Sequence, residues 1–167
     1  MALHELCEAL ETLLLQHEQM ISFAEQKKEA LIANNVDVLN EMVNKESRLL
    51  RLIVETENKR VQAVNDFLKE RGLSSTPSTN VANIIRMITN AEDKLRMSDL
   101  ADRLSAAVER LRALNDVNMR LTQQSIEFND FSLDLLAGAY DDQDYVYKRP
   151  SDQSHAQHNL KLFDSKA

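Results

Sequence analysis

The sequence predicts an all-α protein: an elongated antiparallel helical bundle of coiled-coil type, with three long helices, one short helix and a flexible C-terminal tail. Three observations predict it. Only 2 Gly and 2 Pro occur in 167 residues, which removes most of the usual punctuation for turns and strands. The remainder is rich in Leu, Glu, Ala, Lys, Arg and Gln, residues that lose little side-chain freedom in a helix. Apolar residues also recur at the alternating 3,4 spacing that lays one narrow seam along a helix.

The first helix is expected over about residues 2–33. Its seam positions are Leu3, Leu6, Leu10, Leu13, His17, Met20, Ala24, Lys27 and Leu31, apolar but for His17 and Lys27. Asn34 and Asn35 end it, because Asn tolerates the left-handed conformation that stops a helix and its side chain can cap the next one. The chain reverses there.

The second helix is expected over about 36–71. The same spacing gives Val36, Leu39, Val43, Glu46, Leu50, Ile53, Glu57, Arg60, Val64 and Phe67. Three charged residues interrupt this seam, and a wider stripe through Leu49, Val54 and Val61 fits the drift of a straight helix against a heptad. Gly72 stands where a helix end wants positive φ. The run Ser74-Ser75-Thr76-Pro77-Ser78-Thr79 reads as a loop.

A short helix at 81–89 carries Ile84, Ile85 and Ile88 on one side, with Thr79 or Asn80 as its cap. Asn90 either interrupts it or lets it merge with the next helix. The last long helix, about 92–137, has the most regular seam: Met97, Leu100, Leu104, Ala107, Leu111, Leu114, Asn118, Leu121, Ser125, Phe128, Ser132 and Leu135. Asn118, Ser125 and Ser132 interrupt it towards its end, and Gly138 is expected to stop the helix. Long helices of this kind extend roughly 45–60 Å at about 1.5 Å per residue. The helical bundle is thus expected to occupy residues 1–138.

Residues 139–167 differ in kind. They hold Tyr140, Tyr145 and Tyr147, scattered polar residues and no sustained period, so a mostly disordered tail is expected. One apolar knot remains near the end, at Leu160, Leu162 and Phe163.

Several function classes are excluded or disfavoured. A net charge of −7 argues against nucleic acid as the main partner, since phosphate binding needs clustered Lys or Arg in surplus. The lone Cys7 forms no intramolecular disulfide and fits a reducing compartment. No run approaches the ~18–20 apolar residues of a membrane span, and the acidic, amphipathic N-terminus lacks the pattern of a signal peptide. Cytoplasmic location without membrane insertion is the expectation.

Enzyme chemistry finds no footing. Two glycines 66 residues apart cannot build a phosphate loop, and there is no Gly-x-Ser-x-Gly elbow. A metal pair in a bundle needs Glu-x-x-His on two helices, which is absent. His4, Cys7, Glu8 and Glu11 share a face, yet a solvated first turn explains them better. His155 and His158 form a pair without further ligands. His17 falls on the apolar seam without the small and basic neighbours of a phosphorylated histidine. No cofactor, metal or catalytic residue is expected. Asn118 has two readings: a polar seam residue that fixes register between helices, or an interruption that keeps the seam open to a partner. Phe128, Phe131, Leu133, Leu135 and Leu136 either close the bundle's end or form an unpaired stripe for a partner helix.

The run Leu114-Asn115-Asp116-Val117-Asn118-Met119-Arg120-Leu121, followed by Ser125-Ile126-Glu127-Phe128 and an apolar end, resembles the FlgN family of flagellar export chaperones. So does the first hairpin, Glu25 to Leu39 and then Glu46-Ser47-Arg48-Leu49-Leu50, and so does the terminal Leu162-Phe163-Asp164-Ser165-Lys166-Ala167 found in Gram-positive members. The resemblance covers nearly the whole chain. It implies a cytosolic chaperone that binds the terminal helices of hook-associated (hook–filament junction) proteins, prevents premature polymerisation and delivers them to the export gate. Cargo would meet Leu114, Asn118, Leu121, Phe128, Phe131 and Leu135 together with Leu160, Leu162 and Phe163 of the tail. Tyr147, or Tyr145, would dock on the gate of the export apparatus; Lys148 stands where the family pattern commonly has Gly. The free chain would be a monomer or, in the absence of cargo, a homodimer. A reading from another class is a structural coiled-coil adaptor or spacer with no cargo to release.

Overall fold

The computed structural model describes residues 1–73 and 80–141. Every regular element among them is an α-helix: α1 (Ala2–Ile32), α2 (Val36–Glu70), α3 (Val81–Met87) and α4 (Ala91–Asp141). The all-α helical bundle predicted from composition and spacing is the architecture observed. The chain divides into two compact units, Met1–Phe128 and Asn129–Ala167, so that α4 begins in the first and ends in the second.

The helix ends follow from single residues. Asn34 takes φ 51°, the Asn35 amide donates to the Ala30 carbonyl at 2.8 Å and the Asn34 amide to that of Leu31 at 3.3 Å. These two bonds satisfy carbonyls that a helix end would otherwise leave unpaired. Asn35 then accepts from the Val38 amide at 3.1 Å and caps α2. Gly72, at φ 69°, closes α2 in the same way: its amide donates to Lys69 and that of Leu73 to Leu68, both at 2.9 Å. Asn80 caps α3 through the Asn83 amide at 2.9 Å. Asn90 separates α3 from α4 and caps the latter, accepting from the Glu92 amide at 2.9 Å. Gly138, expected to stop α4, lies inside it. A mid-helix Gly costs only about 1 kcal/mol relative to Ala, so it weakens a helix without ending it.

Within the first unit α1 is the central helix. Links from Ala2 to Glu70, Gln16 to Thr56 and Lys27 to Glu46 run up α1 and down α2, so the two are antiparallel. Glu11 to Arg96 and Glu25 to Arg110 run up both helices, so α4 lies parallel to α1. Flanked on two sides, α1 buries a broad band: Leu6, Leu10, Leu13, Leu14, Met20, Ile21 and Ala24. Its flanking helices each bury a narrower one.

The core gathers where the end of α2, the short α3 and the start of α4 meet the first half of α1. Phe67, Leu68, Ile84 and Met97 are almost fully buried there beside Leu6 and Leu10. Burying each of these side chains contributes on the order of 1.5–3 kcal/mol. The first half of α2 adds only Met42 and Leu49, on the line that Thr56 and Ala63 continue at seven-residue spacing. Among the described residues no helix is long and apolar enough to cross a membrane.

Candidate partner-binding surface

Several polar residues on the facing sides of the helices, Lys27, Glu46 and Asn118 of the interrupted seams among them, link one helix to another. Lys27 Nζ lies 2.6 Å from Glu46 Oε2, with both side chains mostly buried. Gln16 donates to the Thr56 hydroxyl at 3.0 Å, and that hydroxyl donates to the Leu52 carbonyl at 2.9 Å. Asn118, only 3% exposed, donates from Nδ2 to the Ala24 carbonyl at 2.8 Å. This bond ties α4 to α1, the work of a polar seam residue that fixes register. Its Oδ1 is buried and accepts no hydrogen bond among the described residues.

On α4 the predicted seam matches the covered side. Met97, Leu100, Ala107 and Asn118 are buried, and Leu104, Leu111, Leu114, Leu121 and Ser125 are half-buried. Phe128, the last seam position of the first unit, is exposed. In the second unit Phe131 is 61% and Leu135 58% exposed, as are Leu133 and Leu136 to a similar degree. Leu160, Leu162, Phe163, Tyr145 and Tyr147 lie outside the described residues.

Sequence reasoning missed a second surface. A groove of about 840 Å³ runs along the first unit. One wall is the first half of α2, with Leu39, Val43, Leu50 and Ile53; the other is α4, with Leu111, Asn115, Met119 and Thr122; His17 and Met20 of α1 line the floor. Val43 is 44%, Leu50 55% and Met119 67% exposed, large apolar side chains open to solvent. The signal was present: Leu39, Val43, Leu50 and Ile53 all belong to the α2 seam, while of the wider stripe through Leu49, Val54 and Val61 only Leu49 is buried. The core line instead passes through Met42, Leu49 and Thr56.

The residues weighed for chemistry have other partners. His4 pairs with Glu8 at 3.3 Å and Glu11 with Arg96 at 2.7 Å, while Cys7 is buried. Burial pushes the Cys7 thiol up, partly offset by the nearby Arg96 guanidinium, so thiolate is disfavoured. His17 Nδ1 is 2.7 Å from the Leu13 carbonyl one turn back.

Comparison with known proteins agrees with this picture. The chain is 29% identical over 167 residues to the uncharacterized protein YvyG of Bacillus subtilis (strain 168), with 100% of both chains covered. No solved structure matches it. A family model described as FlgN protein matches residues 1–154. A helical bundle, an apolar helix end open to solvent and a family match over most of the length agree: this chain belongs to the FlgN family, and it is a flagellar export chaperone.

Proposed function

We propose that this chaperone acts in the cytoplasm, binds the terminal helices of flagellar hook-associated proteins, keeps them from polymerising early and delivers them to the type III export gate. One observation carries the reading. Phe131, Leu133, Leu135 and Leu136 stand exposed within two turns of α4, a density of apolar surface that a soluble protein keeps for a partner. Subunits that polymerise through amphipathic terminal helices expose apolar stripes before assembly. A complementary helix covers such a stripe by helix-to-helix packing and withdraws it from self-association.

In this reading cargo contacts Leu114, Asn118, Leu121, Phe128, Phe131 and Leu135, with Leu160, Leu162 and Phe163 contributing from the last segment. Tyr147, with Tyr145 as its neighbour, is the gate-docking residue. The test is polymerisation of purified hook-associated proteins followed by light scattering. One equivalent of the chaperone should suppress the rise. An unchanged rise with every such protein, the chaperone being folded, rejects the proposal.

A further inference from the structure

We infer that the outer face of α2 is a contact surface for a second copy of this chain, the two α2 helices lying antiparallel. Turned away from the buried line of Met42, Leu49, Thr56 and Ala63, α2 carries another line at 3,4 spacing: Val36, Asn40, Val43, Ser47, Leu50, Val54, Glu57 and Val61. Its five apolar members are all open to solvent. This is the spacing by which two helices of a coiled coil meet. One helix thus has a seam for its own bundle and a second seam facing outwards.

The order of residues along the outer seam points to itself as the partner. Laid antiparallel about a point between Ser47 and Leu50, the seam sets Val36 on the partner's Val61 and Val43 on the partner's Val54. Asn40 then faces the partner's Glu57, and Leu50 the partner's Ser47, so polar and apolar layers largely find their like. Sliding one helix by a heptad leaves layers at both ends without a partner. Charge selects the direction. A parallel pair in register would press Glu57 against the partner's Glu57, whereas the antiparallel pair gives that carboxylate an amide that donates to it. Its other neighbour is its own Arg60, at 2.6 Å. At the flanking positions Asp37 lies beside the partner's Asn58 and Asn44 beside the partner's Arg51, so no like charges meet. An exposed apolar line on α4, through Val108, Met119 and Ile126, is shorter and is broken by Arg112, Asn115 and Thr122.

The extent of the seam sets the strength of the pair. From Val36 to Val61 it runs about 38 Å at about 1.5 Å per residue. A two-stranded contact uses four of every seven positions, about 15 residues a side here, against about 20–30 for an interface of standard size. The dimer is therefore a reversible one, with a dissociation constant on the order of micromolar.

The experiment is sedimentation velocity of the full chain over about 1–500 μM, where a reversible dimer of this size should appear as concentration rises. Leu50→Glu, at the centre of the seam, should raise the dimer dissociation constant at least about tenfold, with helix content and melting checked by circular dichroism. Val43→Glu and Val54→Lys should each weaken the dimer, and an equimolar mixture of the two should restore it, because these positions face each other in the antiparallel register. Cross-linking reads the register independently. In a Cys7→Ala background, Val43→Cys alone should give no disulfide-linked dimer, whereas Val43→Cys mixed with Val54→Cys should give one. A chain that stays monomeric over the whole range overturns the inference. So does a dimer that Leu50→Glu leaves intact, and one that Met119→Glu separates in its place would put the contact on α4. Cross-linking of the Val43→Cys chain to itself overturns the antiparallel arrangement.

Discussion

Lys27 and Glu46 meet at 2.6 Å across the α1–α2 hairpin, and each is a charged interruption of its own helix's apolar seam. Two residues that look like defects when each helix is read alone are one contact when the helices are paired. Their side chains are about four-fifths buried, so an orphaned partner costs more than in a surface pair.

Lys27→Met alone should therefore destabilise the fold by about 1–3 kcal/mol, and Glu46→Leu alone by a similar amount. The double variant should recover most of that loss. Urea unfolding of the four proteins in the cycle measures the coupling, and additive losses would show that the pair is not coupled.

Phe67 is fully covered where α2, α3 and α4 meet α1. Phe67→Ala should cost about 3–5 kcal/mol, the usual penalty for emptying so large a buried site. Leu133→Ala, at an exposed site, should leave the melting temperature nearly unchanged. Thermal unfolding followed by circular dichroism separates the two.

The helix ends offer a sharper test of backbone geometry. Gly72 holds φ 69° with nothing near the place a Cβ would occupy. Gly72→Ala should thus cost about 1–2 kcal/mol through conformation alone. Asn34→Gly, at φ 51°, should be tolerated, whereas Asn34→Ala should cost about 1 kcal/mol. Denaturant midpoints give the order.

Cys7 adds a pH dependence of known sign. Burial raises its folded value above the 9.0 of a free thiol, so its contribution is complete below 9.0. It is lost as pH rises from there through the folded value, because the unfolded chain ionises first. Stability measured from pH 8 upward should fall more steeply in wild type than in Cys7→Ala. A native thiol that reacts with an aromatic disulfide as fast as the unfolded one would contradict the burial argument.

How far this was legible in the sequence depends on the helix. On α4 the 3,4 spacing picked out the covered side from Met97 to Ser125, because a long helix against one central neighbour buries one narrow stripe. The stops at Asn34 and Gly72 were legible because few residues accept positive φ. On α2 spacing was ambiguous. Met42, Leu49, Thr56 and Ala63 carry the contact line, while Val43 and Leu50 one residue further on form a groove wall. One-residue offsets turn a side chain by about 100° around a helix, and spacing alone does not say which of two apolar lines meets the neighbour. Gly138 misled for a different reason: its effect on a helix is a modest cost, which the surrounding Leu and Ala residues offset.

The proposed function rests most directly on the exposed end of α4, and calorimetric titration of the full chain with purified hook-associated proteins tests it. One-to-one binding is predicted, weakened at least about tenfold by Phe131→Ser with Leu135→Ser while the melting temperature holds. Undiminished binding by that double variant, or no heat of binding from the folded wild type with any hook-associated protein, would contradict the account.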